Sequence, residues 1–464
     1  MSSHHTKTSQ RLLILTGVLA LGVSVVACAR PSSTPIGPGA STGGASAQPS
    51  SSTPSQGTGD FGTLKGVCQA GPGTGGSGRG INGKTIHVGV LSDAGAAAAP
   101  GLGLEFFEAA TAFAKWCNAA GGINGRHIVI DKRDAKLFEG AAQVIQACQK
   151  DFMLVGGGNA LDAPDVKQRL RCKLGQIPAY TVSPEATSAG LQVSPAASVP
   201  TTYDVGSMRL LAEAYPDTKQ GLAIAGSSVA SLAPQGLRAQ EGWQKLGYRV
   251  ATLQPRPLQI DNYRPWLEQM KQAGAKADYE IVAQDPSPIF NGMGNVGFTP
   301  DWVLFGATFY SPKSVQAAQS VNYLPNSYVA FKNLPFELAN KYPVVQQVKD
   351  IMAAGPGTGN LDNFTALAFN AWTLWAQSAS ACGTNLTQDC VLQKAASHQQ
   401  WDAGGLFAPI DTNPKTFTPS DCIVVMRLTK DGWVYDQKVT QPNNGSYNCD
   451  PKNLATVKSY QTGS

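Results

Sequence analysis

Lys84-Thr85-Ile86-His87-Val88-Gly89-Val90 sets the rhythm of this chain. Ile86, Val88 and Val90 alternate with His87 and Gly89, the two-residue repeat of a strand. From Leu104 to Asn118 the repeat becomes helical, with Leu104, Phe107, Thr111 and Ala114 along one face and Gly121-Gly122 as the stop. His127 to Asp131 reads as a second strand, Glu139 to Lys150 as a helix, and Phe152 to Val155 as a third strand broken by Gly156-Gly157-Gly158. Asp162 with Pro164 has the form of a helix start, Asp as cap and Pro in the first turn. Ile177 to Tyr180 is the fourth strand. Strand and helix in strict alternation predict an α/β fold with a parallel, doubly wound sheet.

A second series begins near Tyr203. Leu222 to Ala225, Arg249 to Leu253, Tyr279 to Ala283 and Trp302 to Phe305 read as strands, and Gln235 to Leu246 and Tyr263 to Gln272 as helices. Two such series predict two similar lobes. Val344 to Ala354 and Phe364 to Ser380 are helical, and Cys422 to Leu428 with Trp433 to Asp436 form a hairpin turned by Lys430-Asp431-Gly432.

Upstream of the lobes the composition changes. His4, His5, Lys7 and Arg11 precede an apolar run from Leu12 to Val26, the charged start and short apolar core of a secretory signal over residues 1–27. The run falls short of the roughly 20 apolar residues of a comfortable span. Its exit, Val25-Val26-Ala27-Cys28, resembles the bacterial lipobox, in which the Cys is acylated and becomes the first mature residue; the other reading is an ordinary signal followed by an incidental Cys. Of the 30 residues from Pro31 to Asp60, 23 are Pro, Ser, Thr or Gly, too polar to offset their ordering entropy. Residues 28–80 are therefore expected to be a flexible tether, including the stretch Gly73 to Gly78, which matches GxGxxG but neither follows a strand nor opens a helix.

Nine cysteines fit an extracytoplasmic chain. Without Cys28 eight remain: Cys68, Cys117, Cys148, Cys172, Cys382, Cys390, Cys422 and Cys449. They allow about a hundred pairings, and no CxxC suggests a zinc cluster. The formal charge is +5, and because Lys7 and Arg11 leave with a signal that holds no acid, the mature chain is near +3. Charged residues make up 14% of the chain, against about 25% in typical domains. No basic run points to nucleic acid. No cofactor or metal is implied, and a monomer is expected.

Asn118-Ala119-Ala120-Gly121-Gly122-Ile123-Asn124-Gly125-Arg126 resembles the turn between first helix and second strand in the Leu/Ile/Val-binding proteins, which have the type I periplasmic-binding fold and serve ABC importers. Thr181-Val182-Ser183-Pro184-Glu185-Ala186-Thr187 is similar to that family's S-P-x-A-T stretch. Phe364 to Trp372 resembles a late helix of the family, and Gly404-Gly405-Leu406 with Trp433-Val434-Tyr435 its C-terminal part. The similarity runs from about Lys84 to Tyr435. It implies two doubly wound lobes joined by a multi-stranded hinge: residues 81–200 with 334–397, and 201–333 with 398–464 including the hairpin. It also suggests disulfides by proximity, Cys68 with Cys117, Cys148 with Cys172, Cys382 with Cys390, and Cys422 with Cys449. A membrane permease and an ATPase would be the partners of a lipid-anchored solute carrier on the outer face of the cell membrane.

In such a sheet, ligands bind beyond the carboxyl ends of the strands, where strand order reverses. Ser92, Asp93, Asn159, Ala160 and the turn from Ser183 to Thr187 meet there, and helix-opening turns attract carboxylates. By resemblance, the backbone at Glu185 and the hydroxyl of Thr187 would hold a substrate carboxylate, and Asn159 or Ala160 would stand where the family offers a Ser; their other role is that of ordinary strand–helix loops. Lobe two departs from the family: Ser231 to Gly236 contains no aromatic, and Ala307-Thr308-Phe309-Tyr310 stands where an acid is usual. Asp285 either supplies that acid or caps the helix at Pro286. Thr308 is placed at the pocket; Phe309 and Tyr310 either line it or belong to the core, the commoner place of buried aromatics, and Trp372 and Trp375 are read as core. The solute is expected to be an amino acid, an amide or a carboxylate, captured by hinge closure. The alternatives are a ligand-sensing lipoprotein without transport and an extracytoplasmic hydrolase using His398, although no G-x-S-x-G elbow accompanies it.

Overall fold

The computed structural model describes residues 59–73, 77–196, 198–281 and 285–460. The expected signal, Cys28 and most of the expected tether lie outside these residues.

The first sheet is built on β1 (Thr85–Ser92), β2 (His127–Asp134), β3 (Met153–Val155) and β4 (Gln176–Ile177), all parallel, in the order β2-β1-β3-β4. Ile86, Val88 and Val90 are fully buried, as befits a central strand covered on both faces. Strand order reverses between β1 and β3. A short ladder, Ser77–Gly78 with Ile81–Asn82, runs antiparallel beside β1. The fourth strand ends earlier than its apolar pattern predicts: past Ile177 the ladder register is lost, and Ala179 N–H bonds the Gly157 carbonyl at 2.9 Å in the loop that leaves β3. Helices α1 (Leu104–Ala119), α2 (Gly140–Lys150), α3 (Ala163–Arg171) and the single turn α4 (Pro184–Thr187) complete this half.

The second half opens with β5 (Thr202–Asp204) and α5 (Gly206–Ala214). It continues through β6 (Leu222–Ser227), α6 (Ala233–Lys245), β7 (Val250–Arg256), α7 (Arg264–Gln272), β8 (Ala277–Glu280), α8 (Ser287–Val296), β9 (Trp302–Phe305), α9 (Pro312–Ser320) and β10 (Ser327–Phe331). After α10 (Pro343–Ala354), α11 (Asn363–Ala381) and α12 (Gln388–Ala395), the hairpin β11 (Cys422–Thr429) and β12 (Gly432–Tyr435) adds to the same sheet. The order is β7-β6-β8-β9-β10-β11-β12, parallel up to β10 and antiparallel beyond it. Both sheets are thus mixed rather than purely parallel. Helices α10 and α11 return to pack on α1 in the first lobe.

Helix α11 is buried almost all round, the mark of a core helix. Trp372 and Trp375 are fully buried; Trp372 stacks on Phe113 at 5.6 Å between ring centres. Trp243 stacks on Trp302 at 5.4 Å in a separate cluster of the second lobe. The main apolar cluster runs through both lobes. Phe309 and Tyr310 belong to it: Phe309 packs 4.3 Å from Phe305, and Tyr310 donates to Glu337 at 2.5 Å.

Residues 59–73 depart from the expected tether. Phe61, Val67 and Cys68 are fully buried, and Phe61 stacks on Phe369 at 5.9 Å. Averaging over the Pro- and Ser-rich stretch hides these few apolar residues, which suffice to strap the segment onto the first lobe. The strap hydrogen bonds to the Gly121-Gly122 turn, Gln69 N–H to Gly122 at 2.8 Å and Gly73 N–H to Asn124 at 2.8 Å. Gly121 and Gly122 have φ of 105° and 74°, and a Cβ on Gly121 would stand 2.3 Å from the Ala70 nitrogen. Only glycine fits. From the same turn Asn124 donates to the Ser380 carbonyl at 2.7 Å, and buried Arg126 donates to Gly383 and Thr384.

All four disulfides suggested by proximity form: Cys68–Cys117, Cys148–Cys172, Cys382–Cys390 and Cys422–Cys449. The first closes a separation of 49 residues and fixes the strap to the end of α1. Replacing both Cys68 and Cys117 by Ser is expected to lower stability by about 2–4 kcal/mol, the usual effect of losing a cross-link of this span. Urea unfolding of the two chains measures the difference.

Candidate functional site

Three passages of chain join the lobes, within residues 194–204, 331–336 and 411–422. Lys332 lies on the second. Its ammonium pairs with Asp204 of the first passage at 2.9 Å and donates to the Ser420 carbonyl of the third.

At the reversal point of the first sheet the expected site residues do meet, but their bonds serve the loops. Ser92 is buried and donates to the Gly103 carbonyl at 2.7 Å, tying β1 to the start of α1. Asp93 accepts from Leu137 N–H and Ala160 N–H, both at 2.7 Å. Asp162 does not cap its own helix; it accepts from Val182 N–H at 2.7 Å and Ser183 N–H at 2.9 Å, and so bolts the Ser183–Thr187 turn to α3. Ser183 caps that turn through Ala186 N–H. Ser92, Asp93 and Ala160 border neither of the two large cavities described below. Asn159 lines only a small buried void of about 20 Å³ with Asp162, Asp165 and Arg169, room for about one water.

Asp93 and Asp162 are both pushed up by burial, against their backbone donors. Asp165 lacks such donors. Burial pushes its carboxyl up to about 7, opposed by the Asn159 amide and reinforced by the charges of Asp162 and Asp93. Arg169 in the same void donates only to the carbonyls of Leu174, Gly190 and Leu191, and burial lowers it to about 10.

Thr187 does reach the boundary between lobes. Its hydroxyl lies 3.1 Å from that of Thr181, and it shares a void of about 20 Å³ with Pro234, Gln235 and Arg238 from α6 of the second lobe. Glu185 is exposed on the same turn.

Two larger spaces lie between the lobes. The outer one, about 610 Å³, is bordered by the Ala99–Gly103 loop and Glu105 on one side and by Asp285, Thr308, Ser311 and Lys313 on the other, with Asn360, Asp362 and Phe364 at its end. The starts of α1, α9 and α11 converge here. Ser311 caps α9 through Ser314 N–H, and Asp362 caps α11 through Thr365 N–H at 2.8 Å. Burial raises Glu105, which Lys313 of the opposite lobe pulls back down. Asp285 borders the space and accepts from Ser287 N–H at 2.9 Å, a bond within the loop; the cap position of α8 falls on Pro286, so Asp285 is not its cap. Phe309 and Tyr310 border neither space. The 3₁₀ turn Ala307–Phe309 leaves Thr308 exposed and turns Phe309 inward, which one-residue alternation could not foretell.

The inner space, about 300 Å³, lies among the three passages. Its residues come from segments more than two hundred positions apart, Pro195 and Ser420 at the extremes, so nothing in the sequence groups them. Arg238 borders both this space and the Thr187 void.

Residues 85–433 match the model of the family described as periplasmic binding protein. The chain belongs to that family. Among solved structures, this periplasmic binding protein is similar to a fatty acid ABC transporter substrate-binding protein from Thermomonospora curvata, at 15% identity and a TM-score of 0.67, over 85% of this chain and 98% of the other. It is also similar to a branched-chain amino acid transporter substrate binding protein from Streptococcus pneumoniae in complex with isoleucine, at 14% identity and a TM-score of 0.61, over 76% and 100%. A third is a solute binding protein from Rhodopseudomonas palustris BisB5 in complex with 3,4-dihydroxy benzoic acid, at 14% and 0.59, over 76% and 96%. At these identities the likeness establishes the fold. No curated protein sequence matches. Among the described residues no helix is long and apolar enough to cross a membrane, and no group of His, Cys, Asp or Glu is placed to hold a metal.

Asp165 gives this fold a pH dependence of known sign. Its carboxyl keeps its proton to about pH 7 when folded but only to about pH 4 in an open chain. The unfolded state therefore holds fewer protons in that window, and stability falls as pH rises through it. Asp165→Asn should melt above wild type by a margin that grows between about pH 4.5 and about pH 7.5. A margin that does not change with pH would refute the assignment.

Proposed function

We propose that this chain is the solute-binding subunit of an ABC-type importer, a lipoprotein that holds a small organic solute between its lobes and presents it to a permease driven by a separate ATPase. The observation that carries the reading is the pair of α/β lobes on three connecting passages, with spaces bordered from both sides. A ligand that touches both borders favours the closed arrangement by its differential contacts. The Ser183–Thr187 turn and the two inter-lobe spaces are the parts of the cleft that a solute would occupy, with Thr187, Asp285 and Thr308 on its border.

The solute class we propose is an amino acid, an amide or a carboxylate. Isoleucine, 3,4-dihydroxybenzoic acid and a fatty acid, named with the similar structures, all carry a carboxyl group, and this sets the probe collection. Cys28 after Val25-Val26-Ala27 supports the anchor, with more than one acyl chain needed for stable attachment.

Two measurements test the proposal. Melting of the mature chain against a panel of these solutes should show a hit; a ligand at about a hundred times its Kd adds about 2.7 kcal/mol. Silence across the whole panel counts against solute capture. Separately, Cys28→Ala should move the protein from the membrane fraction to the soluble extracytoplasmic fraction; unchanged fractionation sinks the lipoprotein assignment.

A further inference from the structure

The inner space has walls of one character and a rim of another. Phe331, Leu367, Phe407, Ile410 and Phe417 form the walls, and Lys332, Asp204 and Arg238 stand at the polar end. Lys332 and Asp204 cancel each other at 2.9 Å, and Asp204 also accepts from Gly206 N–H. Arg238 is different. One of its terminal nitrogens donates to the carbonyls of Val199 at 2.9 Å and Thr202 at 2.6 Å, its Nε is buried with no partner, and its guanidinium lies 5.3 Å over the Tyr203 ring. Carbonyl dipoles orient a guanidinium without neutralising it. Among the described residues Arg238 makes no ion pair, so the space carries one uncompensated positive charge at the end of an apolar chamber.

We infer that the inner space is a binding site for an apolar monocarboxylate, an aliphatic or aromatic acid whose carboxylate meets Arg238 and whose body lies among Phe331, Leu367, Phe407, Ile410 and Phe417. The inference rests on the solute-binding reading and narrows its solute class. Three features argue for it. With one terminal nitrogen held by the Val199 and Thr202 carbonyls, the other is left to donate a charge-assisted bond to a carboxylate, about twice as strong as a neutral one. The volume falls at the lower end of ordinary ligand sites, about 300–1,000 Å³, and suits a phenyl ring or a medium chain. The one acid at the rim is already paired, so the ammonium group of an amino acid would find no free counter-charge there. The outer space is a poor place for the same carboxylate, since it would add a further acid to Glu105, Asp285 and Asp362, where burial and repulsion from neighbouring acids already raise Glu105 and Asp362.

Titration calorimetry of the mature chain with octanoate, octanamide and leucine decides the matter. Octanoate should bind, octanamide about tenfold or more weakly, the factor expected for losing one charge-assisted partner, and leucine more weakly than octanoate. Arg238→Gln should reduce octanoate affinity by that factor and leave octanamide unchanged. If the Arg238→Gln chain fails to fold, Leu367→Trp, which fills the chamber away from the guanidinium, should abolish octanoate binding. An unchanged octanoate-to-octanamide ratio in Arg238→Gln, or full octanoate binding in Leu367→Trp, overturns the assignment. Binding of leucine or another polar solute without octanoate overturns it too, while leaving solute capture intact. Failure of every solute to bind removes both.

Discussion

Three strands of connection between two lobes could shear past one another, and one ammonium prevents it. Lys332 holds the carboxylate of Asp204 and the carbonyl of Ser420, so each passage is fixed to the other two at a single point. A partly buried ion pair of this kind contributes more than a surface pair because solvent screens it less. It also sets the polar end of the inner space. With Lys332 and Asp204 satisfied by each other, the charge that remains at the inner space is that of Arg238.

The second organising element is the Asn118–Arg126 turn. Its residues resemble a family of solute carriers, yet no atom of it borders an inter-lobe space. Its glycines admit the backbone of residues 69–71, its Asn124 and Arg126 grip the carbonyls at the end of α11, and Cys117 beside it is cross-linked to Cys68. The sequence feature that points most directly to the family is thus a joint of the scaffold, and its information concerns fold rather than specificity.

Periodicity made most of the scaffold legible. The alternation around Ile86, Val88 and Val90, the helix ending at Gly121 and the late hairpin correspond to local rules that act over a few residues. Segment 59–73 was illegible because its few apolar residues are diluted by polar ones; Phe61 means little until Phe369, some three hundred positions later, is beside it. The reversal point was legible as a place but not as a role. Asp93 and Asp162 occupy the predicted loops, but their carboxylates accept backbone N–H groups of neighbouring turns, which no spacing pattern announces. Glu105, Lys313, Arg238 and Lys332 went unremarked for the same reason. Each is an isolated charge in the sequence, and gains meaning only where distant passages converge.

The strap has a mechanical consequence. Cys68 is covalently joined to Cys117, and Phe61 is wedged beside Phe369, so a load applied at residue 59 would enter the first lobe. A force arriving from the N-terminal end is borne by α1 and α11 and never crosses the three passages.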